Sequence, residues 1–223
     1  MIIYKKRILV KMSYMFKRVA VELYNEAVAE SVIYYKQNMN KALVFSDESR
    51  VKLLDYVTSQ NLKDGYIAEF GVWEGWTARF IAETIKEKTL YCFSALDGNQ
   101  EDWDGFEWSK GSFKIDEIPP LPNNCVFVEG YFKDTLPAWI EENKKEFAVM
   151  HIDCDTYQST KEVLDISGPE RINSGTLIVF GEYFGYTNWQ DHQYKAWQEF
   201  VEKHNIKYEY LGINMLQVAV KVL

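Results

Sequence analysis

Apolar side chains recur along this 223-residue chain with two different periods. Val21, Tyr24, Val28, Val32 and Tyr35 come at three- and four-residue steps, which predicts an amphipathic helix over 19–38. Ser46-Asp47-Glu48 reads as a helix start, a capping hydroxyl followed by acids facing the positive end of the dipole. Val51, Leu54 and Val57 continue that helix. From residue 66 onward, short apolar runs alternate with helical stretches. Strands are predicted at 66–71, 89–95, 125–129, 147–153 and 176–180, with helices at 76–87, 133–143, 158–166 and 191–204. Two late strands, near 207–211 and 214–221, close the chain as an antiparallel hairpin. Repeated βα units give a parallel sheet with helices on both faces. The expected architecture is therefore α/β, a doubly wound sheet of seven strands, mostly parallel with an antiparallel last strand, behind N-terminal helices.

The pattern divides the chain into a basic arm at 1–18, a helical extension at 19–62 and one α/β domain at 63–223. The two helices of the extension are candidates for a lid or an oligomer contact. Their apolar faces need cover, either from their own sheet or from a second copy in a homodimer. Residues 96–124 form no regular element. They hold Gly98, Gly105, Gly111, Pro119, Pro120 and Pro122, interleaved with Trp103, Phe106, Trp108 and Phe113. A loop of that length within a compact domain is normally functional or disordered. Its aromatics either order it over a ligand or anchor it to the surface.

Charge narrows the partners. The net charge is −8, but the first eighteen residues carry Lys5, Lys6, Arg7, Lys11, Lys17 and Arg18 and no acid. The rest sets 19 basic against 33 acidic residues, so nucleic acid is not expected as a partner. The arm either touches an anionic partner or membrane surface or, as expected here, is a solvated or partly disordered terminus. Met1-Ile2-Ile3 and Ile8-Leu9-Val10 are too short for a signal-peptide core, and no stable membrane insertion is expected. Cys92, Cys125 and Cys154 have no metal-like spacing and read as free thiols of a reducing, cytoplasmic compartment.

In sheets of this kind ligands bind outside the carboxyl ends of the strands. The polar residues there are Glu69, Ser94, Asp97, the segment 130–134, Asp153, Asp155 and Glu182. The first of these ends runs Glu69-Phe70-Gly71-Val72-Trp73-Glu74-Gly75 into a helix. Strand, glycine-bearing turn and helix together hold nucleotide-like ligands. This turn has one glycine fewer than the dinucleotide fingerprint and lacks the Lys-Ser/Thr of a phosphate loop.

The pattern E-x-G-V-x-x-G of this turn resembles the first motif of class I S-adenosylmethionine-dependent methyltransferases. Four further segments sharpen the likeness. Cys92 to Trp103 (CFSALDGNQEDW) is similar to a family segment reading roughly GFDSFEGLPEDW. Val128 to Pro137 resembles a G-x-F-x-D-T-L-P element, and His151 to Thr160 an H-I-D-x-D-x-Y-x-S-T element. Gly175 to Ala196 resembles G-T-I-I-V-F-D-E-Y-F-x-Y-x-x-W-x-x-H-E-x-K-A. In order over roughly 65–220, these resemble the macrocin/mycinamicin O-methyltransferase-like family. Its members have a Rossmann-like fold and methylate sugar hydroxyls, often with a divalent cation such as Mg2+.

The resemblance implies roles for named residues. Glu69, Gly71, Trp73, Gly75, Ser94, Asp97, Tyr131 and Phe132 would meet S-adenosylmethionine. Asp153 would be base or metal ligand, Glu182 its metal-binding partner, and His192 a catalytic base or substrate contact. The acceptor would be a hydroxyl of a sugar, glycan precursor or other small molecule. Three departures each remove a carboxylate. Ser94 stands where the family has its ribose-binding acid, Gly181 where it has the first of two adjacent metal-binding acids, and Gln193 where it has a Glu. They keep two other readings open, a methyltransferase-fold binding protein that has lost the chemistry and a metal-independent O-methyltransferase using His192.

Overall fold

The computed structural model describes residues 2–46 and 49–223, with residues 2–17 as backbone only. In chain order the elements are α1 (Ile2–Asn38), β1 (Leu43–Phe45), α2 (Val51–Thr58), β2 (Tyr66–Phe70), α3 (Trp76–Ile85), β3 (Leu90–Ser94), β4 (Cys125–Glu129) and α4 (Phe132–Glu142). There follow β5 (Phe147–Ile152), α5 (Tyr157–Arg171), β6 (Leu177–Phe180), α6 (Gln193–His204), β7 (Tyr208–Asn214) and β8 (Gln217–Val222). The sheet order is β1-β7-β8-β6-β5-β2-β3-β4. Every neighbouring pair is parallel except those of β8, which runs antiparallel to β6 and β7. The doubly wound α/β sheet is therefore as expected, with one strand more than predicted. The extra strand is β1, which pairs Val44 with Ile213 on the β7 edge. Its three residues are too few to show a period.

The helix expected over 19–38 extends back to Ile2 through the backbone of the basic stretch, whose side chains lie outside the described residues. The second helix begins at Val51 rather than at 46. Arg50, with φ of 63°, occupies its left-handed cap position without a side-chain hydrogen bond to the helix end. Asp47 and Glu48, read as acids facing that helix start, lie outside the described residues. α5 outlasts its predicted end because Gly168, at φ 65° and ψ 170°, turns the chain into a further helical turn at Pro169.

Side chains leave each strand alternately to two layers. Ala68 and Phe70 of β2, with Met150 and Ile152 of β5, join the cluster covered by α4, α5 and α6. Ile67 and Val149 join the cluster under α2 and α3, which supply Leu53, Leu54, Val57, Ala78 and Ile81. Phe70 stacks on Phe93 at 5.0 Å, and Phe147 meets Phe70 edge-on at 5.9 Å. Fully burying a Phe contributes roughly 1.5–3 kcal/mol.

α1 docks through Ala27, Ser31, Tyr34 and Tyr35, while Val21, Tyr24, Val28 and Val32 are exposed. The Tyr34 hydroxyl lies 2.7 Å from that of Tyr210, which also meets Tyr183 at 2.9 Å and Tyr208 at 3.0 Å. Gln198 donates to the Tyr183 and Tyr208 hydroxyls, each at 3.1 Å. Among the described residues, no helix is long and apolar enough to cross a membrane.

Candidate active site

The chain leaves β2 toward β3 and β4 on one side and returns to β5 on the other. The carboxyl ends of β2 and β5 therefore flank the switch point of the sheet, where open α/β sheets bind ligands. A cavity of about 670 Å³ opens there.

Its first wall is the turn after β2. Gly71 has φ 93°, and a Cβ on it would overlap the Asp153 carbonyl oxygen, so the two strand ends abut through glycine alone. Val72 donates its N–H to the Ser94 hydroxyl at 3.3 Å. A serine here fixes the turn to the end of β3. Gly75 is the left-handed N-cap of α3, and a Cβ there would come 2.8 Å from Leu121 Cδ2. Gly71, Trp73, Ser94, Tyr131 and Phe132 all line the cavity, as does Thr77 at the start of α3.

The second wall carries the charges. Arg50 Nη2 donates to Asp153 Oδ1 and to Glu182 Oε1, each at 2.8 Å, and to the Gly181 carbonyl at 3.3 Å. Burial would raise the Asp153 carboxyl, but the Arg50 guanidinium holds it below the usual carboxylate range. Burial and the neighbouring Asp153 push Asp155 up to about 7 and Glu182 well up. Gln193 accepts from the Glu182 N–H at 2.9 Å and donates to the Ile152 carbonyl at 3.1 Å. A carboxylate at position 193 could accept but not donate, so the amide ties the ends of β5 and β6 together.

The third wall is the loop at 96–124. Trp103 is buried, Phe106 stacks on Trp108 at 5.2 Å, and Trp73 meets Phe113 edge-on at 5.5 Å. Glu101 accepts from the Gln158 N–H at 3.0 Å, and His192 Nε2 lies 2.8 Å from the Asp104 carbonyl. The loop is thus ordered over the cavity.

Four residues expected at the site do not line it: Gly75 acts as the cap of α3, and Glu69, Asp97 and His192 lie elsewhere. Glu69 shares the face of Ile67, under α3, and does not line the cavity. It is fully buried and 2.9 Å from His151 Nδ1, its cross-strand neighbour. Asp97 is exposed and does not line the cavity, whereas Asn99, two residues on, does. His192 is outside the lining, and its Nε2–H is committed to the Asp104 carbonyl, so it holds the loop. Arg50 is the residue that sequence reasoning missed. The signal for it was indirect, the missing acid at 181.

Among the described residues, the donor set at this site does not fit a divalent cation. Among the described residues no group of three or more His, Cys, Asp or Glu is placed to hold one. The two carboxylates that would begin such a set are already bridged by a guanidinium. A side chain at 181 would overlap Asp153 Oδ1.

The family model described as a methyltransferase domain matches residues 68–183, a little over half of the chain. Among solved structures, the apo form of CalS11, a TDP-rhamnose 3'-O-methyltransferase of calicheamicin biosynthesis, is 16% identical, with 92% of this chain and 93% of that one covered and a TM-score of 0.53. An O-methyltransferase from Bacillus cereus in complex with SAH is 15% identical, with 91% and 90% covered and a TM-score of 0.49. At such identities the CalS11 likeness is one of fold. No curated protein matches the chain. The matched span begins in β2 and ends just past β6, the part of the sheet whose strand ends build the cavity, and the chain accordingly belongs to the methyltransferase-domain family, as an S-adenosylmethionine-dependent methyltransferase.

Proposed function

We propose that the protein methylates a hydroxyl of a sugar or glycan precursor. The observation that carries this reading is the division of one cavity into two unlike halves. A glycine turn, the start of α3, Ser94, Tyr131 and Phe132 form one half; Asp153, Glu182 and an aromatic loop form the other. The first half suits S-adenosylmethionine, with small residues and backbone amides for its amino-acid tail and apolar rings for its adenine. About 670 Å³ accommodates it together with a small acceptor. The second half suits a sugar, with carboxylates for hydroxyls and Trp103, Phe106 and Trp108 for the ring faces. The sugar-nucleotide acceptor of CalS11 points the same way. On this reading residues 63–223 are the catalytic domain, 19–62 an extension that adds a strand and covers one edge, and 1–18 a basic arm. The buried free thiols Cys92 and Cys154 support a cytoplasmic setting.

When bound against Gly71, Ser94, Tyr131 and Phe132, S-adenosylmethionine would supply an electrophilic methyl group for the acceptor oxygen, its sulfur keeping the bonding pair. The chain's part is alignment and proton removal. Gly71 and Asp153 abut, so the turn and the carboxylate keep a fixed separation, and alignment of reacting groups is worth several kcal/mol. Asp153, held ionised by Arg50, takes the hydroxyl proton, a role worth about 10²–10⁴-fold. The loop at 96–124 keeps water from the reacting centre.

Calorimetry with S-adenosylhomocysteine, followed by methyl-transfer assays on a panel of nucleotide sugars, tests the reading. Binding in the micromolar range and turnover on at least one sugar are expected. Asp153→Asn should abolish turnover with S-adenosylhomocysteine affinity within a few-fold. No binding at millimolar ligand would overturn the proposal.

A further inference from the structure

We infer that Arg50 is the built-in cation of this site, standing where related sites place a divalent metal, so that methyl transfer here is independent of metal ions. The inference rests on the methyl transfer proposed above and names what replaces its metal.

Geometry carries the argument. One guanidinium nitrogen, Nη2, lies 2.8 Å from Asp153 Oδ1 and 2.8 Å from Glu182 Oε1, between the two carboxylates that a metal would join. The same nitrogen reaches the Gly181 carbonyl at 3.3 Å. Position 181 shows that this is a matched arrangement. A Cβ there would overlap Asp153 Oδ1 and come 3.0 Å from Arg50 Nη2, so a side chain at 181 would drive the Asp153 carboxylate out of its bond with the guanidinium. Glycine at 181 leaves the room in which Arg50 and Asp153 meet.

Charge leads to the same place. A doubly charged metal among three carboxylates leaves one negative charge in excess. A guanidinium between two carboxylates leaves the same excess. The formal charge around the acceptor hydroxyl is therefore the same with a guanidinium as with an ion. Arginine suits the task because its guanidinium stays protonated and is less strongly hydrated than an ammonium. It is also well held. Arg50 sits at the head of α2, whose Leu53, Leu54 and Val57 are buried in the core.

The chemical consequence is specific. A guanidinium donates hydrogen bonds but cannot ligate a hydroxyl and lower its pKa as a metal does. Proton removal then falls on Asp153, the carboxylate that Arg50 holds ionised, with Arg50 a positioning residue acting through it.

The test uses the full chain in four forms, wild type, Arg50→Ala, Arg50→Lys and the double variant Arg50→Ala/Gly181→Asp. Turnover of the wild type should be unchanged, within two-fold, by EDTA and by added Mg2+ or Mn2+. Arg50→Ala should lose at least 100-fold in kcat while binding S-adenosylhomocysteine within a few-fold, which also shows that it folds. Arg50→Lys should recover part of the loss. Calorimetry with Mg2+ and Mn2+ alone should show no binding to the wild type at millimolar metal and clear binding to the double variant. Loss of wild-type activity in EDTA with recovery in Mg2+ would overturn the inference, as would wild-type kcat in Arg50→Ala. If no acceptor is turned over, the proposed function fails, and the metal calorimetry still decides the role of Arg50. Millimolar or tighter Mg2+ binding by the wild type, abolished in Asp153→Asn, would then overturn it.

Discussion

His192→Ala separates two roles that the position of this residue in the chain does not distinguish. The His192 ring is buried, its Nε2 lies 2.8 Å from the Asp104 carbonyl, and it faces Trp103 and Tyr186 at 6.3 Å and 6.0 Å between centroids. Truncation removes one hydrogen bond, about 1 kcal/mol, and leaves the Asp104 carbonyl with one partner fewer. Lost ring packing brings the total to about 2 kcal/mol against the closed loop. That is about 30-fold in the closed-to-open equilibrium. Initial rates against acceptor, at saturating S-adenosylmethionine, should show KM rising by up to that factor and kcat falling less than ten-fold. Limited proteolysis should cut within 96–124 correspondingly faster. A general base would behave in the opposite way, with kcat down 10²–10⁴-fold and KM nearly unchanged. That result, with loop protection intact, would refute the anchoring role.

Gly71→Ala forces a side chain into a left-handed position and against the Asp153 carbonyl oxygen. Urea melts should show a loss of at least about 2 kcal/mol, and S-adenosylhomocysteine affinity should fall more than ten-fold. Burial, then Asp153, raise the Asp155 carboxyl to about 7 in the folded state. Because this lies above its unfolded value, its contribution is most favourable below pH about 4 and declines until about pH 7. Asp155→Asn should flatten the fall of Tm between pH 4 and 7, by at most about 4 kcal/mol in stability, and superimposable Tm profiles would refute the shift. Tyr210→Phe removes the hydroxyl at which three others meet and should cost roughly 1–3 kcal/mol in denaturant unfolding, with no change in S-adenosylhomocysteine affinity.

The parallel strands were legible because each is a continuous apolar run between turn residues, and five observed strands fall within a residue or two of the predicted bounds. β1 was not, because Leu43-Val44-Phe45 gains strand character only from its pairing with β7. Glu69 was assigned to the ligand because it ends a strand beside a glycine turn. β2 is buried on both faces, so no polar alternation marks which way each side chain leaves it. The structure sends Glu69 to the α3 side, against His151. Arg50 was invisible for a different reason. Its partners lie 103 and 132 residues away, and only the fold of α2 over the sheet brings them together. Ser94 and Gln193 looked like losses when compared with acids. In the structure each makes hydrogen bonds that hold strand ends in place.

The tyrosine cluster under α1 sets how that helix responds to salt. Tyr34, Tyr183, Tyr208 and Tyr210 join it to the sheet through hydroxyls rather than charges. Burial raises the Tyr34, Tyr183 and Tyr210 hydroxyls far above neutrality, so they remain uncharged in any physiological medium. Ionic screening weakens bonds between exposed charges and leaves neutral buried ones nearly untouched. The docked end of α1 therefore keeps its place as ionic strength rises. Any contact made through the basic residues of its first turns would loosen with salt while the helix stays fixed to the sheet.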